Sequence, residues 1–230
     1  MKVPGIAARW LFALCLPLLL VSTGIGWLVN SPWLYHYGFE KYGVSRTTGL
    51  SGTELDKAAR GLIAYFNSDE EYIDLTVMKD DEPFVLFNQR EVIHLKDVKG
   101  LFRLDHQIFL WMLTYVVSYG GVSLLWRRRR YWPQLARGLV MGSGFTLALM
   151  LTMGAAILLG FDQLFLQFHL LSFANDLWQL DPSRDYLIML FPAGFWYDAA
   201  LFCVLATAGM AVVLGGVGGW YMLRLRASPD

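Results

Sequence analysis

Residues 138–159 read GLVMGSGFTLALMLTMGAAILL and carry no charged side chain. An α-helix rises about 1.5 Å per residue, so this run is long enough to cross the roughly 30 Å hydrocarbon layer of a bilayer. It does not alternate apolar and polar positions, which sets it apart from a strand of an outer-membrane barrel. Three further blocks of the same kind lie to either side, at about Trp10–Val29, Ile108–Trp126 and Phe195–Leu223. Gly142 and Gly144 in the third block, and Gly215, Gly216, Gly218 and Gly219 in the fourth, would weaken a helix in water. In lipid such glycines mark close helix packing. The whole-chain composition agrees: of 230 residues, 56% are hydrophobic and 17% charged, against about 25% charged in soluble domains. An ordinary soluble domain and a disordered chain are both excluded. The apolar run of the first block exceeds the h-region of a cleavable signal and ends in Trp27-Leu28-Val29-Asn30, so an uncleaved anchor is expected.

Net charge is zero, but the charges are segregated. Lys2 and Arg9 precede the first block, Arg127–Arg130 and Arg137 fill the short connection between the second and third, and Arg224 and Arg226 follow the fourth. With four spans all three sets fall on one side, and positive charge marks the cytoplasm. Both termini are therefore expected inside. The arginine run needs no nucleic acid or anionic lipid to explain it, and no nucleic-acid partner is expected. Residues 30–105 and 161–194 then face outward. They hold all the acidic residues except Asp198 and Asp230, and the histidines His36, His94 and His169, with His106 at the boundary. Proton-transfer chemistry near neutral pH belongs to that face. No phosphate-loop or dinucleotide glycine pattern is present. Cys15 and Cys203 fall at depths differing by roughly 10 Å along their helices, too far apart for a disulfide.

The order along the chain is a cytoplasmic N-terminus and first span (1–29), an outer cap (30–105), spans two and three with their Arg-rich loop (106–160), an outer interfacial segment (161–194), and a fourth span with a cytoplasmic C-terminus (195–230). In the cap, Ser51 or Thr53 starts a helix whose stripe is Leu55, Ala58, Ala59, Leu62, Ile63 and Phe66. Tyr72–Val77 and Phe84–Phe87 alternate like strands around the turn Lys79-Asp80-Asp81-Glu82-Pro83, predicting a hairpin. Asn88 caps a second helix with Glu91, His94, Leu95, Val98 and Phe102 on one face, leading into the second span. The fold class is a polytopic α-helical membrane protein of four transmembrane helices with a small α+β extracytoplasmic cap.

The interfacial segment places Phe165, His169, Phe173 and Asp176 at helical spacing. An aromatic belt accounts by itself for Trp178, Trp196 and Tyr197, and each histidine alone reads as structural. The motifs around them carry more. Residues 91–99 read E-x-x-H-L-x-D-V-K, and Phe168–Pro182 reads F-H-x-x-x-F-x-N-D-x-W-x-L-D-P, continuing through Asp185, Phe191-Pro192 and Phe195-Trp196. With four spans and an outer cap, the chain resembles the lipoprotein intramolecular transacylase family, within a broader set of uncharacterised bacterial integral membrane proteins. The resemblance implies a bacterial cytoplasmic-membrane enzyme whose site faces outward among membrane lipids. Its substrate would be a diacylglyceryl-modified lipoprotein. The sn-2 acyl chain moves to the α-amine of the N-terminal Cys, giving the lyso form. It marks His94 and His169 as the catalytic pair. The motif positions Glu91, Asp97, Lys99, Phe165, Phe168, Phe173, Asn175, Asp176, Trp178, Phe195 and Trp196 are substrate-pocket candidates.

Chemistry is consistent with that role. The attacking α-amine has an ordinary pKa of about 7.7–8.0, and a nearby His can take its proton while a second stabilises the oxyanion or protonates the leaving oxygen. No cofactor or metal is required. Two other classes fit the chain less closely. One is a metal-dependent membrane hydrolase, for which no H-x-x-x-H or H-E-x-x-H spacing exists. The other is a non-catalytic scaffold binding lipid or a partner through its aromatic mouth.

Overall fold

Each apolar block forms a helix, because in lipid every backbone N–H and C=O must be satisfied within the segment itself. The computed structural model describes residues 3–126 and 132–227; the Arg127–Arg130 run, Lys2 and Asp230 lie outside the described residues. The helices are α1 (Val3–Val29), α2 (Pro32–Lys41), α3 (Val44–Thr48), α4 (Gly52–Phe66), α5 (Gln89–Gly121), α6 (Trp132–Ser172), α7 (Tyr186–Leu190) and α8 (Ala193–Ala227), and the strands are β1 (Thr76–Lys79) and β2 (Glu82–Val85). A π-helical turn, Val122–Trp126, follows α5. Among the described residues, α1, α5, α6 and α8 are long and apolar enough to cross a membrane. The chain is a multi-pass α-helical membrane protein with a small two-stranded sheet.

Two compact units form. The described residues of the first fall within Met1–Ile25, Asp105–Ala156 and Phe202–Asp230. Its core joins Leu16, Leu20 and Ala211, with Leu139, Leu147, Met210 and Leu214 against them. Two of the glycines explain how closely its helices approach. A Cβ on Gly142 would stand 2.9 Å from the Ala13 carbonyl, and one on Gly218 would stand 2.9 Å from the Ala136 carbonyl. Gly144, Gly216 and Gly219 have nothing within 4 Å, so the packing expected of the whole set is made by only some of it. Cys15 and Cys203 are both free.

The second unit spans Gly26–Leu104 and Ile157–Leu201. The predicted stripe of α4 is its core: Leu55, Ala58, Ala59, Leu62 and Tyr65 are buried. Ser51, not Thr53, caps α4, its hydroxyl accepting from the Glu54 N–H. The hairpin exists, but shifted from the expected segments. Thr76 pairs with Val85 and Lys79 with Glu82, so the turn is only Asp80-Asp81, both with positive φ (53° and 64°). Two left-handed residues make the tight turn whose twist matches paired strands, and Asp tolerates that conformation better than bulkier residues. Tyr72–Asp74 fall outside the strands because nothing in β2 remains for them to pair with; only the Leu75 carbonyl takes a further bond, from the Leu86 N–H at 2.9 Å. α2, α3 and α7 were not legible as helices, being short, although Ser31-Pro32 supplies a helix start with proline in the first turn.

Candidate active site

The site begins at the first turn of α5. The Asn88 Oδ1 accepts from the N–H groups of Arg90 (2.9 Å) and Glu91 (3.2 Å), and the Glu91 Oε2 accepts from the Asn88 N–H (2.8 Å). This reciprocal capping box fixes where α5 starts and which way its first turns face. The other Glu91 oxygen, Oε1, accepts from the Leu187 N–H at 2.6 Å. Glu91 is 1% exposed, and burial pushes its carboxyl up while the N–H groups of Leu187 and Asn88 hold it down. One turn further along the same face stands His94, in the polar stretch of α5 that precedes the apolar run beginning near Ile108.

The second half comes from α6. The backbone leaves helical geometry at Gly160 (φ −172°, ψ 58°) and resumes it, so Phe161, Phe165 and His169 follow at one-turn intervals. Their rings are in register, Phe161 to Phe165 at 5.4 Å and Phe165 to His169 at 4.4 Å between centroids. α6 ends at Ser172. Asp176 is therefore not on the helical stripe that its spacing predicted. It lies in the following loop, its carboxylate 3.5 Å from the Gln179 amide. The Asn175 Oδ1 accepts from the Leu177 N–H, a local turn that competes with helix continuation.

These two halves meet. The rings of His94 and His169 lie 6.3 Å apart, inclined by 27°. Phe173 stands edge-on to His94 at 5.0 Å and lies 5.5 Å from His169. Trp178 (5.0 Å) and Phe168 (5.3 Å) complete the surround of His169. Trp196 packs on Phe165 at 6.2 Å. Three polar ties fasten the 175–178 loop to α5: the Arg90 Nη2 donates to the Asp176 carbonyl (2.5 Å), its Nε to the Leu177 carbonyl (3.4 Å), and the Asn175 Nδ2 to Asp97 Oδ2 (2.9 Å). Both histidines are thus held in an aromatic enclosure with a single half-buried carboxylate, Asp97, at one side.

Other sequence candidates sit differently. Both oxygens of Glu91 are committed to backbone. Lys99 is buried with its ammonium on the Ser68 hydroxyl (3.1 Å), the Glu70 carbonyl (2.7 Å) and the face of Tyr65 (4.0 Å). Phe195 is buried against Tyr35, Phe191 and Trp196, and a Cβ on Gly38 would stand 2.3 Å from its ring. Arg90 was missed from sequence, and Asn88 and Asp185, read there as a helix cap and a motif position, prove to be bonded to each other beside the site. Asp185 is buried and accepts from the Asn88 Nδ2 (2.9 Å) and the Asp181 N–H (2.7 Å). The N-x-x-E pattern at Asn88 and Glu91 is the sequence signal of the capping box. Among the described residues, no group of three or more His, Cys, Asp or Glu is placed to hold a metal ion.

The tautomer of His169 follows from its partner. Its Nδ1 lies 2.8 Å from the Phe165 carbonyl, which has no proton to give, so Nδ1–H donates. In the neutral ring Nε2 is then the free base. Burial holds His169 below the ordinary imidazole range. Burial, and secondarily the neighbouring His169, push His94 down to about 4; two close imidazoles do not readily charge together. The His94 Nδ1 is buried without a hydrogen-bond partner. A histidine whose folded pKa is depressed below its unfolded value of about 6.5 stabilises the fold above that value, and the contribution is lost as pH falls. We expect unfolding stability to decline between about pH 6.5 and pH 4 by on the order of 3 kcal/mol from this residue. A His94→Phe variant should show a flatter midpoint-against-pH curve over that interval in thermal melts.

The model of the family Lipoprotein intramolecular transacylase Lit matches residues 10–196. The chain belongs to this family. It aligns with the structure of the membrane integral lipoprotein intramolecular transacylase Lit from Bacillus cereus over 99% of this chain and 100% of that one, with a TM-score of 0.84 at 19% identity. A form of the same protein with one histidine substituted matches at a TM-score of 0.78, covering 98% and 95% of the two chains. At that identity the likeness speaks for the fold. A relative from Aquifex aeolicus (strain VF5), described as an uncharacterized protein, is 28% identical over 140 residues, and the match spans 60% of each chain. Membership makes this chain a membrane acyltransferase of the lipoprotein-modifying type.

Proposed function

We propose that the chain moves the sn-2 acyl group of a diacylglyceryl lipoprotein onto the α-amine of the lipidated N-terminal Cys, with His169 as base and His94 as neutral hydrogen-bond donor. The observation that carries this reading is the pairing of His94 and His169 inside one aromatic enclosure, although 75 positions separate them. The amine nitrogen attacks the acyl carbon and gives its proton to His169 Nε2, which faces it unprotonated. The bond between the acyl carbon and the glyceryl oxygen then breaks, and the same proton passes to that leaving oxygen. An imidazole that stays neutral at pH 7 can still donate an N–H to the developing oxyanion, a use that burial favours by keeping His94 uncharged.

Counted from nitrogen through Cα, Cβ, sulfur and two glycerol carbons to oxygen and acyl carbon, the transition state is an eight-membered ring. Medium rings close poorly unaided, and fixed positioning contributes up to about 7–11 kcal/mol. The walls formed by Phe165, Phe168, Phe173 and Trp178 fold the substrate and exclude water that would hydrolyse the ester. The test is mass spectrometry of the N-terminal peptide of a diacylated reporter lipoprotein after co-expression. An N-acylated, mono-O-acylated Cys is expected; an unchanged diacylglyceryl peptide, or a free fatty acid with lyso peptide, overturns the reading.

Orientation belongs to the same proposal. The Lys and Arg bias puts both termini in the cytoplasm and the histidines on the outer side of the membrane. Single cysteines at Ser68 and Ser183 are expected to react with an impermeant thiol reagent in intact spheroplasts. A cysteine at Gln134 should react only after lysis; labelling of Gln134 from outside would reverse the topology.

A further inference from the structure

Where α6 breaks at Gly160, an open groove of about 490 Å³ runs between α6 and the start of α8. Ile157, Leu158, Leu159 and Phe161 line one wall and Ala193 and Tyr197 the other, with Asp162 and Gln163 at its polar end. Leu158 and Leu159 are 67% and 89% exposed, as expected of side chains that meet lipid. A row of ring contacts links the groove's lining to the histidine site: Tyr197 is edge-on to Phe161 at 5.4 Å, Phe161 stacks on Phe165, and Phe165 is edge-on to His169. Phe161 and His169 are eight residues apart on one helix, which separates them by about 12 Å along its axis. Along the chain the groove precedes His169 and adjoins the end of the apolar run 138–159.

Resting on the acyl-transfer reading above, we infer that this groove holds the sn-2 acyl chain, the chain that is transferred, and sets which chain lengths react. The acyl carbon is the one atom shared by the C–O bond that breaks and the C–N bond that forms. A chain laid along Phe165 and Phe161 into the groove keeps that carbon beside the histidines while the amine swings in and the glyceryl oxygen leaves. Anchoring the moving group, and not the peptide, is what an intramolecular transfer requires, because both nucleophile and leaving group are tethered to one another through the thioether. The occupant is apolar and flexible, which fits a lining of aliphatic and aromatic side chains on the bilayer side. The volume lies within the range of small-molecule sites.

Ala193 is exposed, at the first position of α8, an element that carries neither histidine. Ala193→Trp adds bulk to the groove's lining from an exposed position. On synthetic diacylglyceryl lipopeptides in nanodiscs, this variant is expected to retain wild-type kcat/KM for an sn-2 hexanoyl chain and to lose about tenfold or more for palmitoyl, in line with what lost methylene contacts do to selectivity. Equal losses on both substrates, or none on either, overturn the inference. A second measurement does not depend on turnover. A lipopeptide with a diazirine near the end of its sn-2 chain is expected to crosslink to residues 157–163 and 193–197. Crosslinks confined elsewhere, or equal labelling by a diazirine phospholipid that unlabelled lipopeptide does not compete away, overturn it. If the wild-type protein crosslinks in the groove but forms no N-acyl product from any substrate, the groove stands and the acyl-transfer reading fails.

Discussion

His169→Ala is expected to lower the first-order rate of N-acyl product formation by about 10²–10⁴-fold, the usual contribution of a positioned general base. The ring cannot be replaced by a neighbour. Its Nε2 is left as the unprotonated nitrogen by the Nδ1–H bond to the Phe165 carbonyl, and no other imidazole apart from His94 is in the enclosure. His94→Ala should cause a loss of similar size through the missing donor. Because the two act on one proton and one oxyanion, the double variant should be little slower than either single, the non-additivity seen when residues work as a unit. His36, whose Nδ1 sits 3.0 Å from Asp56 on the surface of the second unit, serves as a control and should retain activity. The readout is single-turnover mass spectrometry with monodisperse, folded protein. A folded His169→Ala enzyme at wild-type rate would end the base assignment.

How much of this was legible in the sequence depended on the range of the interaction. The four spans were readable because lipid imposes one rule on twenty consecutive residues. Each of the four blocks is a helix, with ends extended by polar turns that hydropathy cannot see. The cap helix α4 was readable from its stripe, and the start of α5 from Asn88. The hairpin was placed but misregistered, since period-two alternation at Tyr72–Val77 says nothing about which residues find a partner, whereas the left-handed pair Asp80-Asp81 does. Asp176 was drawn onto a helix by periodicity, and the turn made by Asn175 ended that helix four residues earlier.

The histidine pair was legible only through the two motifs. No spacing rule brings residue 94 to residue 169. What brings them together is a set of backbone-directed bonds: Arg90 to the carbonyls of Asp176 and Leu177, Asn175 to Asp97, and Glu91 to Leu187. Most of these partners are main-chain atoms, whose identity is independent of the residue type that carries them. Sequence patterns therefore flag the side chain that reaches and not the place it reaches to. For the same reason Phe195 and Lys99 were counted with the pocket although both are engaged elsewhere.

Glu91 is the case in which that distinction has the largest consequence. From sequence, this carboxylate three residues before His94 counted among the substrate-pocket candidates. In the structure both of its oxygens accept from backbone N–H groups, as expected of a positioning residue. One oxygen closes the cap of α5, and the other holds the Leu187 N–H of α7, with the carboxyl almost fully buried. Glu91→Ala removes both acceptors, leaving the buried Leu187 N–H without its partner at a cost of about 1–3 kcal/mol and opening the capping box at Asn88 at a cost of about 0.5–2 kcal/mol. We expect the variant to be destabilised by about 2–5 kcal/mol in thermal or denaturant unfolding. Glu91→Gln keeps the shape and one carbonyl oxygen, but turns an NH2 group toward one of the two N–H donors, so a smaller loss is expected. If Glu91 instead handled protons, Gln would be as inactive as Ala and would fold normally. The structure predicts the reverse order: Gln recovers most of the activity wherever it recovers the fold, and its rate-against-pH curve keeps the wild-type shape. A well-folded Glu91→Gln protein with activity lost by a factor of about 10² or more would return Glu91 to the proton-transfer machinery.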